Sequence, residues 1–171
     1  MQIKYSNIGT EPLSLADVKS WLKVDFDAED ALITSLITGV REKIEEFTGL
    51  SLVIKTIEYF NEVIEDEIEL PYPNHDAITE VKVNGVVSTD YSKTGLTSFI
   101  IRPNVITTTL TNDEYGVYVK YTTTGECPQG IKQEMLKLIS EKYRKRGNTF
   151  NGAVSELTEN TYSNLMQYVQ A

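Results

Sequence analysis

Apolar positions along the chain set out three helices and a β-rich middle. The plainest helical pattern covers residues 28–48. Turned at about 100° per residue, Leu32, Ile33, Leu36, Ile37, Val40, Ile44 and Phe47 fall on one arc of roughly 140°. Thr34, Ser35, Thr38, Arg41, Glu42, Glu45 and Glu46 fall outside it, and Lys43 sits near its edge, where its stem can lie on apolar surface and its head reach water. Asp27 is placed to cap this helix, and Gly49 to stop it. A shorter pattern, LSLADVKSWLKV, predicts a helix over 14–23. Ser14 and Asp17 form a capping box there, and Leu15, Val18, Trp21 and Leu22 share one face. A third pattern predicts a helix over 129–146, begun after Pro128 and closed by Gly147, with Ile131, Met135, Leu138 and Ile139 in its stripe.

Between residues 52 and 127 the period changes to two. LVIKTIEYFNEV, DEIELP, ITEVKVNGVVS, SFIIRP and GVYVKYTTTG read as strands, and Asn84-Gly85 is the pair favoured in a type I′ hairpin turn. Residues 104–116, NVITTTLTNDEYG, fit strand or loop equally. Residues 1–12 show no period and read as an arm. Residues 151–171 read as a polar C-terminal tail with a weakly apolar end, mobile alone and ordered by a neighbour. The expected fold class is therefore α+β: a small helical core of about three main helices with an inserted antiparallel β region, in a single domain over 1–150 followed by the tail.

Charge sharpens this picture. Of the 171 residues, 16 are Lys or Arg and 25 Asp or Glu, a net charge of −9. Residues 1–128 hold 10 basic and 21 acidic side chains, whereas 129–150 hold 6 basic and 2 acidic ones. An acidic body repels nucleic acid. The basic helix end Lys142-Tyr143-Arg144-Lys145-Arg146, with Lys137, either complements the helix dipole or meets an acidic partner. On a helical wheel its charges surround the helix, which favours a protein neighbour over a helix laid in a DNA groove. The alternative is a DNA-binding module using the 137–146 helix end, which would bind duplex tightly and with steep salt dependence.

Candidate chemistry is thin. One Cys (Cys127) and one His (His75) leave no disulfide framework and no Cys/His zinc site. His75 lies in the Pro-rich turn LPYPNHDAI beside Asp76, and the plain reading is a loop histidine. Cys127 precedes a helix start, where a thiolate would be stabilised, but nothing pairs it with His75. The acidic group Asp25, Asp27, Glu29 and Asp30 lacks the Gly and distal Glu of a calcium loop. The run Glu62, Glu65, Asp66, Glu67, Glu69 reads as a solvated loop. No phosphate loop, dinucleotide fingerprint or nucleophile elbow occurs. We expect no enzyme activity, no cofactor, no metal and no membrane partner. With no apolar signal core and no membrane-spanning run, the expectation is an intracellular protein of a reducing compartment.

The segment PLSLADVKSWLKVDFDAEDALITSLITGVREKIEEFTGLSL (12–52) resembles the opening of the head–tail connector proteins of tailed phages and prophages, also called adaptor, neck or head-completion proteins. The shared pieces are Leu13-Ser14-Leu15, the acidic turn Asp25 to Asp30 with Leu32 and Ile33, and Phe47-Thr48-Gly49. Further pieces agree in order: Val81-Lys82-Val83-Asn84-Gly85, Val119-Lys120-Tyr121, then Gly125, Pro128, Ile131 and Tyr143-Arg144-Lys145-Arg146-Gly147. The resemblance spans about 12–147. It implies a homo-oligomeric ring, a dodecamer in the virion, beneath the portal protein. Genomic DNA would pass through its channel without sequence-specific binding, and a tail-side neck or tail-completion protein would join below. It places the protein at the virion head–tail junction, and in host cytoplasm during assembly. On this reading portal or partner contact falls to Lys137, Lys142, Arg144, Lys145, Arg146, Leu165, Met166 and Tyr168. The β region would meet neighbouring subunits or the tail side.

Overall fold

A computed structural model describes residues 1–63, 67–72, 74–94, 100–103, 116–145 and 159–169. These fall into two compact units, one of Met1–Thr10 with Val53–Glu126, the other of Glu11–Leu52 with Cys127–Ala171. The stretch 1–150 read as one domain thus contributes to both.

The second unit is helical. α1 (Leu15–Leu22) begins at the expected capping box: the Ser14 hydroxyl accepts from the Asp17 N–H, and the Asp17 carboxylate accepts from the Ser14 N–H. It ends at Lys23, which takes a left-handed conformation with φ 60°. α2 (Asp30–Thr48) ends at Gly49, φ 73°, whose N–H closes on the Glu45 carbonyl. α3 (Gln129–Lys145) and α4 (Glu159–Met166) complete the unit. Val18, Ile33, Ile37, Val40, Ile44, Leu52, Ile131, Met135, Leu138, Ile139 and Leu165 form its core. The three expected helices are present within two residues of their expected ends, apart from Arg146, which lies outside the described residues.

Four details differ from the sequence reading. Asp27 does not cap α2; it pairs with Lys19, which also holds Asp30, both at 2.7 Å. Trp21 and Leu32 are exposed, because α1 buries only Val18 fully and the start of α2 turns Ile33 inward instead. Arg41 and Glu45, outside the apolar arc, are buried. The tail holds a helix, α4, with Leu165 wholly buried against the core.

The described strands of the first unit all pair antiparallel. β1 (Gln2–Asn7), β2 (Lys55–Asn61), β4 (His75–Val83), β5 (Val86–Val87) and β8 (Val117–Thr123) form a sheet in the order β1-β2-β8-β4-β5. β3 (Ile68–Glu69), β6 (Tyr91–Thr94) and β7 (Ile100–Pro103) form a second, ordered β3-β7-β6. The N-terminal arm is thus a strand, paired from Gln2↔Phe60 to Asn7↔Lys55, a pairing that β2 completes from some fifty residues away. Asn84 and Gly85 have φ of 52° and 77°, the left-handed pair that a type I′ turn needs. Asn84 is buried, and its backbone and side chain both bond Gly116. The expected strand or loop at 104–116 lies outside the described residues save Gly116.

Side chains form rows across the larger sheet. On one face Ile3, Tyr59, Val119 and Val81 stand in register, and on the other Lys4, Glu58, Lys120 and Glu80. Tyr59, Val119 and Val81 of the apolar row belong to a core that also holds Ile57, Ile68, Leu70, Val117 and Tyr121. The charged row alternates in sign, which favours this register. At the edge, the Lys55 ammonium lies 4.9 Å from both the Tyr5 and Tyr72 ring centres, a cation–π clamp on a buried lysine.

Candidate partner-binding groove

α1 and α3 line an open groove of about 820 Å³ within the helical unit. α1 contributes Asp17, Ser20 and Trp21, with Lys23 just beyond it, and α3 contributes Leu136, Lys137, Ser140, Glu141, Arg144 and Lys145. The helical period explains the α3 set: residues 137, 141, 144 and 145 recur at four, three and one, on one side of the helix. Trp21 is there because α1 is only two turns long and spends its buried face on Val18. Its indole is 53% exposed, a large apolar surface for a soluble side chain to leave in water.

Not all the groove's charge is available. Lys137 is bound to the buried carboxylate of Glu134 at 2.7 Å, and that same oxygen accepts from Asn164 of α4. Lys145 pairs with Glu141, and Asp17 serves the α1 cap. Among the described residues Lys23 and Arg144 have no carboxylate within ion-pair distance, and both are exposed. The groove therefore offers an indole, the half-buried Leu136 and two uncompensated cations. That chemistry suits a segment carrying carboxylates beside apolar side chains.

The expected contact residues divide. Lys137, Arg144 and Lys145 meet in the groove, whereas Lys142 is half-buried elsewhere on α3. Leu165 is core, Met166 is exposed, and Tyr168 lies against Gly130, where an added Cβ would collide with its hydroxyl. Arg146 lies outside the described residues. Sequence reasoning missed Trp21 and Lys23, since an eight-residue helix has too few turns to fix its buried face by period. A Trp preceding a predicted helix end, flanked by Lys19 and Lys23, was the available signal.

The two residues weighed for catalysis are set in packed surroundings. His75 opens β4 and is buried, not a loop residue; its Nε2 lies 3.0 Å from the Pro71 carbonyl and its ring meets Tyr121 edge-on. The Tyr121 hydroxyl donates to the same carbonyl at 2.6 Å. Burial pushes the His75 pKa below 6.5, opposed by the Pro71 bond and aided by Lys93. A histidine kept neutral in the fold takes a proton sooner once unfolded, so stability falls as pH drops from 6.5 towards the folded value. Urea unfolding between pH 7 and 5 should therefore cost the wild type more stability than His75→Gln. A variant that tracks the wild type at every pH would remove His75 as the cause. Cys127 is also the reverse of an activated thiol: burial raises it to about 11, against a lowering by Lys132. Among the described residues no cluster of His, Cys, Asp or Glu is placed to hold a metal ion, and no helix is long and apolar enough to cross a membrane.

The fold of this chain recurs in subunits of solved gene transfer agent (GTA) particles. The chain aligns with a subunit of the "Neck of empty GTA particle computed with C6 symmetry" at TM-score 0.73 and 15% identity, covering 98% of this chain and 96% of that one. It aligns with a subunit from the "Virion of native gene transfer agent (GTA) particle" at TM-score 0.71 and 15% identity, covering 97% and 94%. For the "Neck of native GTA particle computed with C12 symmetry" the values are 0.72 and 13%, covering 98% and 96%. No curated protein shows significant sequence similarity to the chain. The family profile of the phage gp6-like head-tail connector proteins matches residues 12–108, and the chain belongs to that family. It is a structural connector protein of α+β fold.

Proposed function

We propose that the protein forms a ring at the head–tail junction of a phage or phage-like particle, under the portal, and joins capsid to tail without catalysis. Family membership supports the connector role, and the likeness to neck subunits solved with C6 and C12 symmetry supports the ring. The dodecamer is the count we favour. The acidic balance of the chain suits a channel through which DNA passes without adhering, since a basic wall would bind phosphates and slow it. Subunits would gather from the host cytoplasm during assembly and end in the virion.

The observation that carries the partner assignment is the groove, with exposed Trp21 beside Arg144 and Lys23. We assign it to a portal or tail-side segment bearing carboxylates and apolar side chains. Exposed α4 residues such as Met166 would extend that contact. Trp and Arg dominate interfaces when desolvated together, and each costs about 2 kcal/mol or more on truncation. Trp21→Ala with Arg144→Glu should therefore weaken portal binding by about a hundredfold or more, while the circular dichroism spectrum stays unchanged. Imaging of assembled particles should find the chain between capsid and tail. Its absence there sinks the reading, as would a tight, steeply salt-dependent complex with short duplex DNA.

A further inference from the structure

We propose that β1 is the strand by which one copy of the chain grips the next, its outer edge adding head to tail to the β4–β5 edge of a neighbouring copy. The inference rests on the ring reading above. The Ile8 N–H donates to the Ile54 carbonyl, and the register continues unbroken to Gln2↔Phe60. Antiparallel alternation then turns the backbone groups of Ser6, Lys4 and Gln2 toward β2. Those of Asn7, Tyr5 and Ile3 face outward. Among the described residues no strand lies on that side, and all six residues of β1 are exposed. Bare edges are normally defended by prolines, bulges or several charges. β1 has no proline and no bulge, and Lys4 is its only charge.

The side chains indicate what covers it. The charged row starts with the cation Lys4 at β1 and ends with the carboxylate Glu80 on β4. Edge-to-edge, head-to-tail pairing continues that alternation from one copy into the next. The apolar row likewise runs out at Ile3, 39% exposed, with Tyr5 and Ile8 exposed beside it. Among the described residues the far edge is equally open. Val83↔Val86 pairing and the Ser88 N–H to Val81 carbonyl bond turn the backbone of Val87 outward, and its side chain is 60% exposed. The two edges are different surfaces of one sheet, so the contact is heterologous, the kind that closes into rings.

The test uses the full chain with Cys127→Ala, assembled into rings on portal. Gln2→Cys, Lys4→Cys or Ser6→Cys, whose side chains share the sheet face of Val87, each combined with Val87→Cys, should give on mild oxidation a ladder of linked subunits reaching the full ring. Ile3→Pro with Asn7→Pro removes two outward donors and leaves the β1–β2 bonds intact. It should lower ring yield at least about tenfold, roughly the loss of one or two edge hydrogen bonds per contact, with unchanged monomer spectra. Should the proline variant not fold, the cysteine ladder decides alone. Rings at wild-type yield in the proline variant, or no strand-to-87 linkage in any pair, overturn this contact while the ring stands. Links only between two β1 strands, or from β1 to portal, overturn it likewise by naming a different occupant. Failure of the wild type to form rings in assembled particles overturns both.

Discussion

Arg41→Ala should lower the unfolding free energy by about 3–5 kcal/mol, the usual cost of breaking a buried ion pair from one side. Arg41 is 1% exposed and reaches three carboxylates. Its Nε donates to Glu11 at 2.9 Å and its two terminal nitrogens reach Glu45 and, at 3.4 Å, Glu42. Glu45 is itself buried, and its other oxygen accepts from the Leu52 N–H at 2.7 Å. Thr38 also donates to Glu11. One guanidinium thus ties both ends of the 11–52 segment to the middle of α2. Removing it leaves the buried Glu45 carboxylate without its guanidinium. Arg41→Met with Glu45→Gln keeps an acceptor for Leu52 while removing both charges, and should recover much of the loss. Urea unfolding of both variants checks this. A loss below about 1 kcal/mol for Arg41→Ala would place the network among ordinary surface pairs.

Leu165→Ala should undock α4. Leu165 is fully buried in the core that α3 provides, and Leu→Ala at such sites costs about 2–5 kcal/mol. An eight-residue helix has little stability alone, so its order depends on that side chain and on the Asn164–Glu134 bond. Hydrogen exchange of the α4 amides should accelerate by about two orders of magnitude, since each 1.4 kcal/mol is a factor of ten. The loss is capped at the docking energy of α4, because the helix leaves before the remaining core unfolds. The urea midpoint of the rest should therefore move less than the exchange rates. Uniform loss of protection across α2 and α3 would show instead that α4 is an integral part of one cooperative unit. The same variant bears on assembly: weakened portal binding would follow from a lost scaffold for Met166, not from a lost Leu165 contact.

The helices of 30–48 and 129–145 were legible because each repeats its apolar stripe over four or more turns, enough to fix a face. The Ser14 box, the Gly49 stop and the Asn84-Gly85 turn were legible because each depends on a few neighbouring residues. Connector membership was legible from the order of short pieces along the chain. The groove was legible only by half. Lys137, Arg144 and Lys145 stand out as charge on a helix, but Trp21 looked like core.

Sequence alone determined the local geometry of this protein: where backbone turns, caps and long amphipathic stripes must fall. Tertiary structure decided the rest. β1 is a strand only because β2 supplies its hydrogen bonds, and α4 is ordered only because α3 offers a socket for Leu165. Arg41 lies inside only because Glu11 and Glu45 arrive to neutralise it, and His75 is buried because Tyr121 and Pro71 close around it. Each of these depends on partners distant in the chain or on a neutralising charge, and a period of 2 or 3.6 residues carries no record of either.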